Sequence, residues 1–154
     1  MPTLAPELKE FAESSVAVTV GVNHPAHGPR LAGGWGFRLH PESERVEVFV
    51  DVRSSGEVVE ALRTDGRIAV VLADPVSYRS VQFKGRVIEI GEPSPLDRAW
   101  VARTRELYTA GLALIGEAPA VSRNRWTEDV IRVAFAVTDV FDQTPGANAG
   151  RRLS

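Results

Sequence analysis

Alternation of apolar residues with period two is the feature that most constrains how this chain folds. Valine occupies every second position from 16 to 22, and similar alternation returns at residues 46–50 and 130–140. Such alternation is typical of strands that bury one face. A continuous apolar, β-branched run at 68–73 predicts a further strand. Altogether the sequence predicts six strands, near residues 16–22, 31–39, 46–50, 68–73, 77–90 and 130–140.

The connections between these strands favour an antiparallel barrel. Strands two and three should form one hairpin, and strands four and five should form another across the turn at Asp74 and Pro75. Only short helices are predicted, near residues 3–11, 54–66 and 94–116. Hairpins outnumber helix-linked parallel strands, which argues against a doubly wound fold. We therefore expect a mostly β, six-stranded antiparallel barrel as a single domain over residues 1–154, with a C-terminal tail at 141–154.

The composition limits what such a barrel can do. The chain has 154 residues, 44% of them hydrophobic, and a formal net charge of -2. A charge so close to zero gives no general attraction to nucleic acid or to an anionic membrane surface. There is no cysteine, which excludes disulfides and thiolate chemistry. Charged side chains interrupt the first 13 residues where a signal peptide needs an apolar core, so we expect a cytoplasmic protein.

Arg53, Ser54 and Ser55 stand between a predicted strand and a predicted helix. The start of a helix presents unpaired N–H groups and a partial positive charge, so a guanidinium and two hydroxyls there suit a phosphate. The alternative is that Ser54 only caps the helix in a capping box with Glu57, and the local pattern by itself favours the cap.

Two further groups of residues are candidates for ligand contact. Gln82 and Lys84 share one face of the long fifth strand and are able to reach one ligand together, although a solvated polar face explains them equally well. Three glycines surround Trp35 in the second strand, which indicates a bulge or a close approach to the backbone, for example by a planar ligand. Trp35, Trp100 and Trp126 are nevertheless more typical of core or interface positions.

Other chemistry lacks its residues. His24 and His27 form an H-x-x-H pattern on a loop without a carboxylate nearby in sequence, so we interpret them as loop histidines and predict no metal site. The chain has no G-x-S-x-G, no P-loop and no G-x-G-x-x-G between a strand and a helix. Hydrolase, nucleoside-triphosphatase and Rossmann functions are therefore not indicated, and no catalytic residue is identified.

The order of these segments resembles the pyridoxamine 5'-phosphate oxidase-like family. The likeness is carried by VEVFVDVRSS, GEVVEALRTDG, RIAVVLAD and the segment from Arg79 to Gly85, RSVQFKG, within residues 46–87. It implies the FMN-binding split-barrel fold, with homodimers that hold flavin mononucleotide at the subunit interface. The sequence departs from the family where a lysine often starts the helix, because Glu57 and Val58 stand there instead.

The resemblance also implies roles for individual residues. Arg53, Ser54 and Ser55 correspond to the phosphate-binding residues. The residues that fall near the expected isoalloxazine ring are Trp35, Gly36, Asp51 and Gln82. Lys84 is grouped with Gln82 as a possible cofactor contact because the two share a strand face.

Two kinds of function follow from the resemblance. The first is an FMN-dependent oxidoreductase that acts on a small-molecule substrate or electron donor, with the chemistry carried by the flavin. The second is a non-catalytic module of the same fold that carries a flavin, a deazaflavin or haem, or a cofactor-free dimeric interaction domain. Fold alone does not separate them, and vitamin B6 oxidation is not predicted as the main activity.

Overall fold

The computed structural model describes residues 4–40, 42, 45–53 and 56–153. The helices are α1 (Pro6–Ala12), α2 (Gly56–Thr64), α3 (Pro95–Leu114) and α4 (Pro119–Arg123). The strands are β1 (Ala17–His24), β2 (Gly28–His40), β3 (Arg45–Asp51), β4 (Arg67–Ala73), β5 (Ser80–Gly91) and β6 (Val130–Asp142). No helix in this described part is long and apolar enough to cross a membrane.

The six strands close into one antiparallel barrel in the order β1-β2-β3-β6-β5-β4. This confirms the predicted fold class and the predicted hairpins, β2 with β3 and β4 with β5. The fifth strand was predicted to start at residue 77, which is wrong, because the chain first makes a turn after Asp74. The Asp74 carboxylate accepts hydrogen bonds from the main-chain N–H of Val76 at 2.8 Å and of Ser77 at 3.4 Å. Tyr78 then takes a left-handed φ of 62° before β5 begins at Ser80.

The core lies inside the barrel and is built from the alternating residues of the strands. Val20, Val46 and Val70 are fully buried, as the alternation predicted for the first and third strands. Phe37 packs against Phe83 with ring centroids 4.8 Å apart, a separation typical of favourable aromatic contact. Burial of these side chains contributes the largest favourable term to the free energy of folding the barrel.

A bulge in β2 sets the position of Trp35. The register with β3 shifts between Gly34 and Phe37, so the predicted irregularity of this strand is confirmed. A Cβ on Gly34 would lie 2.7 Å from Cγ1 of Val18, which is too close for any larger residue. Gly36 has φ of 142°, a conformation that L side chains rarely adopt.

A cluster of charged residues fixes α3 to the barrel. Ser94 and Asp97 form a capping box at the start of the helix. Arg38 on β2 donates hydrogen bonds to Asp97 at 2.5 Å and to Glu47 on β3 at 2.6 Å. Burial by itself would raise the pKa of Glu47, but hydrogen bonds from His40, Arg38 and Arg132 outweigh burial and lower that pKa to about 2. The cluster therefore joins β2, β3, β6 and α3.

Candidate functional site

A cavity of about 580 Å³ lies between the outer surface of the barrel and α3. One wall is formed by β1 and β2, the other by α3 and the segment at residues 124–125, and the end of β3 lies between them. Its volume falls within the range of about 300–1,000 Å³ that is usual for small-molecule sites. The cavity is therefore large enough to hold a cofactor-sized ligand.

The barrel wall is open at Gly33 and closed at Gly36. Apart from its two neighbours in the chain, no atom of the described residues lies within 4 Å of the place where a Cβ on Gly33 would be, so this stretch of backbone is open to the cavity. At Gly36 the space is taken by α3, since a Cβ there would lie 3.0 Å from Oγ1 of Thr104 and 3.4 Å from Nε1 of Trp100. Gly36 thus lines the cavity, but its lack of a side chain mainly makes room for α3.

Asp51 and Arg53 form an ion pair at the end of β3. Arg53 donates from Nε to Oδ1 of Asp51 at 3.2 Å and from Nη2 to Oδ2 at 2.8 Å, and its main-chain N–H also bonds Oδ1 at 3.0 Å. The Nε1–H of Trp35 donates to Oδ2 of Asp51 at 3.4 Å. Burial would raise the pKa of Asp51, but the Arg53 hydrogen bonds lower it below its ordinary value. The carboxylate therefore stays charged.

The helix wall carries polar residues that the sequence reasoning missed. Arg105 is only 5% exposed and donates to the carbonyl of Thr127 at 2.7 Å and to Oε1 of Glu128 at 3.0 Å. Tyr108 lies one turn further along, and burial raises the pKa of its phenol, so the hydroxyl keeps its proton. The i, i+3 spacing of these residues puts them on one helix face. That spacing was visible in the sequence, but which face meets the barrel was not.

The structure brings four of the predicted residues to this cavity, namely Trp35, Gly36, Asp51 and Arg53. Ser54 and Ser55 lie outside the described residues, so both their phosphate role and the capping role of Ser54 stay predictions. Glu57 is within the described part and is paired with Arg30, and its Oε1 lies 3.8 Å from Nε2 of His27.

Gln82 and Lys84 do not line this cavity. They share one face of β5, as the periodicity predicted, and this is the outer face. The cross-strand pairs Thr19 with Val71 and Val71 with Gln82 place Gln82 two strands from the cavity. Gln82 accepts a hydrogen bond from Gln143 at 3.3 Å. Lys84 lies 5.0 Å from the ring of Phe141 and borders a separate groove.

The contacts of His24 and His27 are with neighbouring main-chain and carboxylate groups. Nδ1 of His24 accepts hydrogen bonds from the main-chain N–H groups of Ala26 at 3.1 Å and His27 at 3.2 Å, which leaves the proton on Nε2. That Nε2 faces Glu60 at 3.1 Å. A metal on Nε2 normally needs the proton on Nδ1, so this geometry does not suit a ligand. Across the residues described, no three His, Cys, Asp or Glu are grouped to hold a metal ion.

The fold is shared with solved structures that span nearly the whole chain. HupZ of Group A Streptococcus is 16% identical with a TM-score of 0.58, over 96% of this chain and 99% of that one. An F420 reductase is 14% identical with a TM-score of 0.56, over 89% and 98%. A protein of the pyridoxinephosphate oxidase family from Clostridium acetobutylicum, related to general stress protein 26, is 21% identical with a TM-score of 0.54, over 96% and 92%.

These likenesses and the barrel topology define the class of fold. The chain has the split-barrel fold of the pyridoxamine 5'-phosphate oxidase-like proteins. No protein-family profile and no curated protein matches its sequence. At these identities the structural likeness establishes the fold, and function has to be argued from the cavity.

Proposed function

We propose that this protein binds flavin mononucleotide in the cavity beside β3 and acts as an FMN-dependent oxidoreductase on a small-molecule substrate. The observation that carries the proposal is the open backbone at Gly33, with Trp35 on one side and Arg53 at the end of β3. A flat ring needs an unobstructed surface, and a phosphate needs a cation. The cavity offers both within one volume.

Each residue present has a suitable role for this cofactor. Arg53 would bind the phosphate, and Gly33 and Trp35 would border the ring. Bound FMN supplies the hydride chemistry, so the protein has to bind, orient and shield it. Tyr108 offers a protonated hydroxyl to a substrate on the opposite wall.

The experiment is an equilibrium titration of FMN fluorescence with the purified protein. Arg53→Met should weaken binding at least about tenfold, because the phosphate loses a charge-assisted hydrogen bond. Arg67→Met is the matched control, since Arg67 has the same spacing to Asp65 as Arg53 to Asp51 and lies outside the cavity. Equal affinities of the two variants would contradict the phosphate assignment. Turnover requires, in addition, that a nicotinamide nucleotide or another donor reduces the bound flavin.

The likeness to an F420 reductase supports a second candidate cofactor, a deazaflavin. F420 and FMN both combine a flat tricyclic ring with a phosphate, so the same cavity residues would serve either. Parallel titrations with FMN and F420 distinguish them. A protein that binds neither would be better described as a cofactor-free interaction domain.

We further propose that the protein forms a homodimer through the outer face of β1 and β4. Small and apolar side chains there stay partly exposed, among them Ala17, Ala69, Val71 and Ala73. Small residues on a sheet face allow a second surface to pack closely, and exposed apolar area of this kind is typical of interfaces. This face adjoins the cavity through the pairing of Thr19 with Gly33 and Val71.

A further inference from the structure

We propose that Asp51 sets the charge selectivity of the cavity and makes its phosphate-bearing cofactor exchangeable. This inference rests on the proposed function and deepens it. Asp51 would oppose the binding of a dianionic phosphate at Arg53. FMN would then bind no more tightly than riboflavin, which has the same ring without a phosphate. FMN then enters and leaves as a co-substrate does.

The hydrogen bonds of Arg53 carry the first step. The Nε and Nη2 edge of its guanidinium, the pair of donors that grips an oxyanion side-on, is occupied by the two oxygens of Asp51. Nη2 also donates to the carbonyl of Arg125 at 2.9 Å. Within the described residues, Nη1 is the one guanidinium nitrogen of Arg53 that has no hydrogen-bond acceptor. At the Arg53 side chain, a phosphate therefore has to accept from Nη1 alone or displace Asp51.

The other cations of the cavity do not compensate. Arg105 is paired with Glu128, and Arg125 is paired with Glu117. Every arginine that lines the described cavity thus has a carboxylate of its own. A site that retains a dianion needs cationic donors in excess of their own carboxylate partners, whereas each arginine here is already paired with one, either inside the cavity or just outside it.

The position of Asp51 supplies the last step. Its side chain is 14% exposed and is fixed from two sides by Trp35 and Arg53. A phosphate on Arg53 would therefore lie next to a fixed negative charge, and like charges at such distances weaken binding strongly. An uncharged ligand in the same cavity experiences no such repulsion.

The test compares Asp51→Asn with Asp65→Asn. Asparagine removes the charge and keeps one oxygen, Oδ1, as the acceptor for the main-chain N–H of Arg53, while its amide nitrogen replaces the Oδ2 that Trp35 contacts at 3.4 Å. Asp65 makes an equivalent pair with Arg67, with Nε to Oδ2 at 2.8 Å, and does not line the cavity. Dissociation constants for FMN and for riboflavin, which lacks the phosphate, are measured by equilibrium fluorescence titration, and circular dichroism verifies folding. Asp51→Ser repeats the measurement if Asp51→Asn does not fold.

Asp51→Asn should tighten FMN binding at least about tenfold and riboflavin binding less than about threefold, with Asp65→Asn unchanged. Weaker or equal FMN binding would overturn the inference, because Asp51 would then only position Arg53. Should no protein bind a flavin, the proposed function fails, and titration with inorganic phosphate decides the inference separately. Tighter phosphate binding by Asp51→Asn would support it, and equal phosphate binding would overturn it.

Discussion

At the scale of single residues, two glycines on β2 have different tasks. The position of a Cβ on Gly33 is open and faces the cavity, whereas that on Gly36 is filled by Thr104 and Trp100 of α3. Gly36 also has φ of 142°, so any substitution there strains the backbone. The space beside Gly33 and the packing of α3 against Gly36 can therefore be changed separately by mutation.

Gly33→Val should abolish most flavin binding and leave stability within about 0.5 kcal/mol of the parent, because a strand tolerates valine and the side chain only fills the cavity. Gly36→Val should lower the free energy of unfolding by about 1–3 kcal/mol through overpacking against α3. Flavin titration and urea denaturation of both variants measure the two effects. Loss of stability in Gly33→Val would show that its surroundings are more crowded than described.

The sequence predicted part of this residue-scale arrangement. Trp35 and Arg53 were singled out by local patterns, the glycines around Trp35 and the strand-to-helix junction at Arg53, whereas Asp51 was placed only by the family resemblance; all three line the cavity. Arg105 and Tyr108 were not predicted, since a helix of 20 residues presents several polar faces and only packing selects one. Lys84 was grouped with Gln82 by strand periodicity. Periodicity shows which residues of a strand share a face, but not how far that strand lies from the cavity.

At the scale of elements, the wall of the cavity depends on how α3 is anchored. The helix carries Arg105 and Tyr108, and its first turn is tied to the barrel through Asp97, Arg38 and Glu47. Glu47 is the centre of this cluster, with its side chain 7% exposed and further pairs to Arg132 and His40. A change at Glu47 should therefore affect the cavity from the other end of the helix.

Glu47→Gln should destabilise the protein by about 1–3 kcal/mol at pH 7, because the partly buried guanidinium groups of Arg38 and Arg132 each lose one charged partner, while Asp97 and Glu89 still pair with them. The pKa of Glu47 in the folded protein is about 2, below the ordinary 4.5, so its stabilisation is complete above about pH 4.5 and is lost as the pH falls towards 2. Urea denaturation at pH 7 and pH 3 should show a smaller difference between parent and variant at pH 3. Glu89 pairs with Arg132 at the exposed edge of this cluster, and Glu89→Gln should have a smaller effect at both pH values.

At the scale of the whole molecule, closing the barrel requires pairings that no local pattern encodes. Hairpins follow from short turns and were predicted, but the pairs β1 with β4 and β3 with β6 join strands far apart in sequence. Thr19 opposite Val71 and Val50 opposite Ile131 are examples. The cavity residues of β1, β2 and β3 lie side by side through the pairs β1 with β2 and β2 with β3, but the opposite wall is α3, whose position depends on tertiary packing. The sequence therefore predicted the barrel more completely than the cavity.

The outer face of β1 and β4 gives the prediction at this scale. Val71→Arg should convert the proposed homodimer into a monomer, because a charge would be buried between two copies of the face. Light scattering after size-exclusion chromatography measures the mass. Val76→Arg is the control, since Val76 lies in the exposed turn after β4 and is 45% exposed. A parent chain that is already monomeric, or a variant that stays dimeric, would place the interface elsewhere or remove it.

The most direct test of the central claim is equilibrium dialysis of the parent protein and Gly33→Val against FMN, followed by absorption spectra of both compartments. The cavity argument predicts saturation at about one FMN per chain for the parent, with a perturbed flavin spectrum, and little binding by Gly33→Val. Equal binding by the two proteins would show that FMN binds elsewhere, and no binding by the parent would contradict the assignment of this cavity to the cofactor.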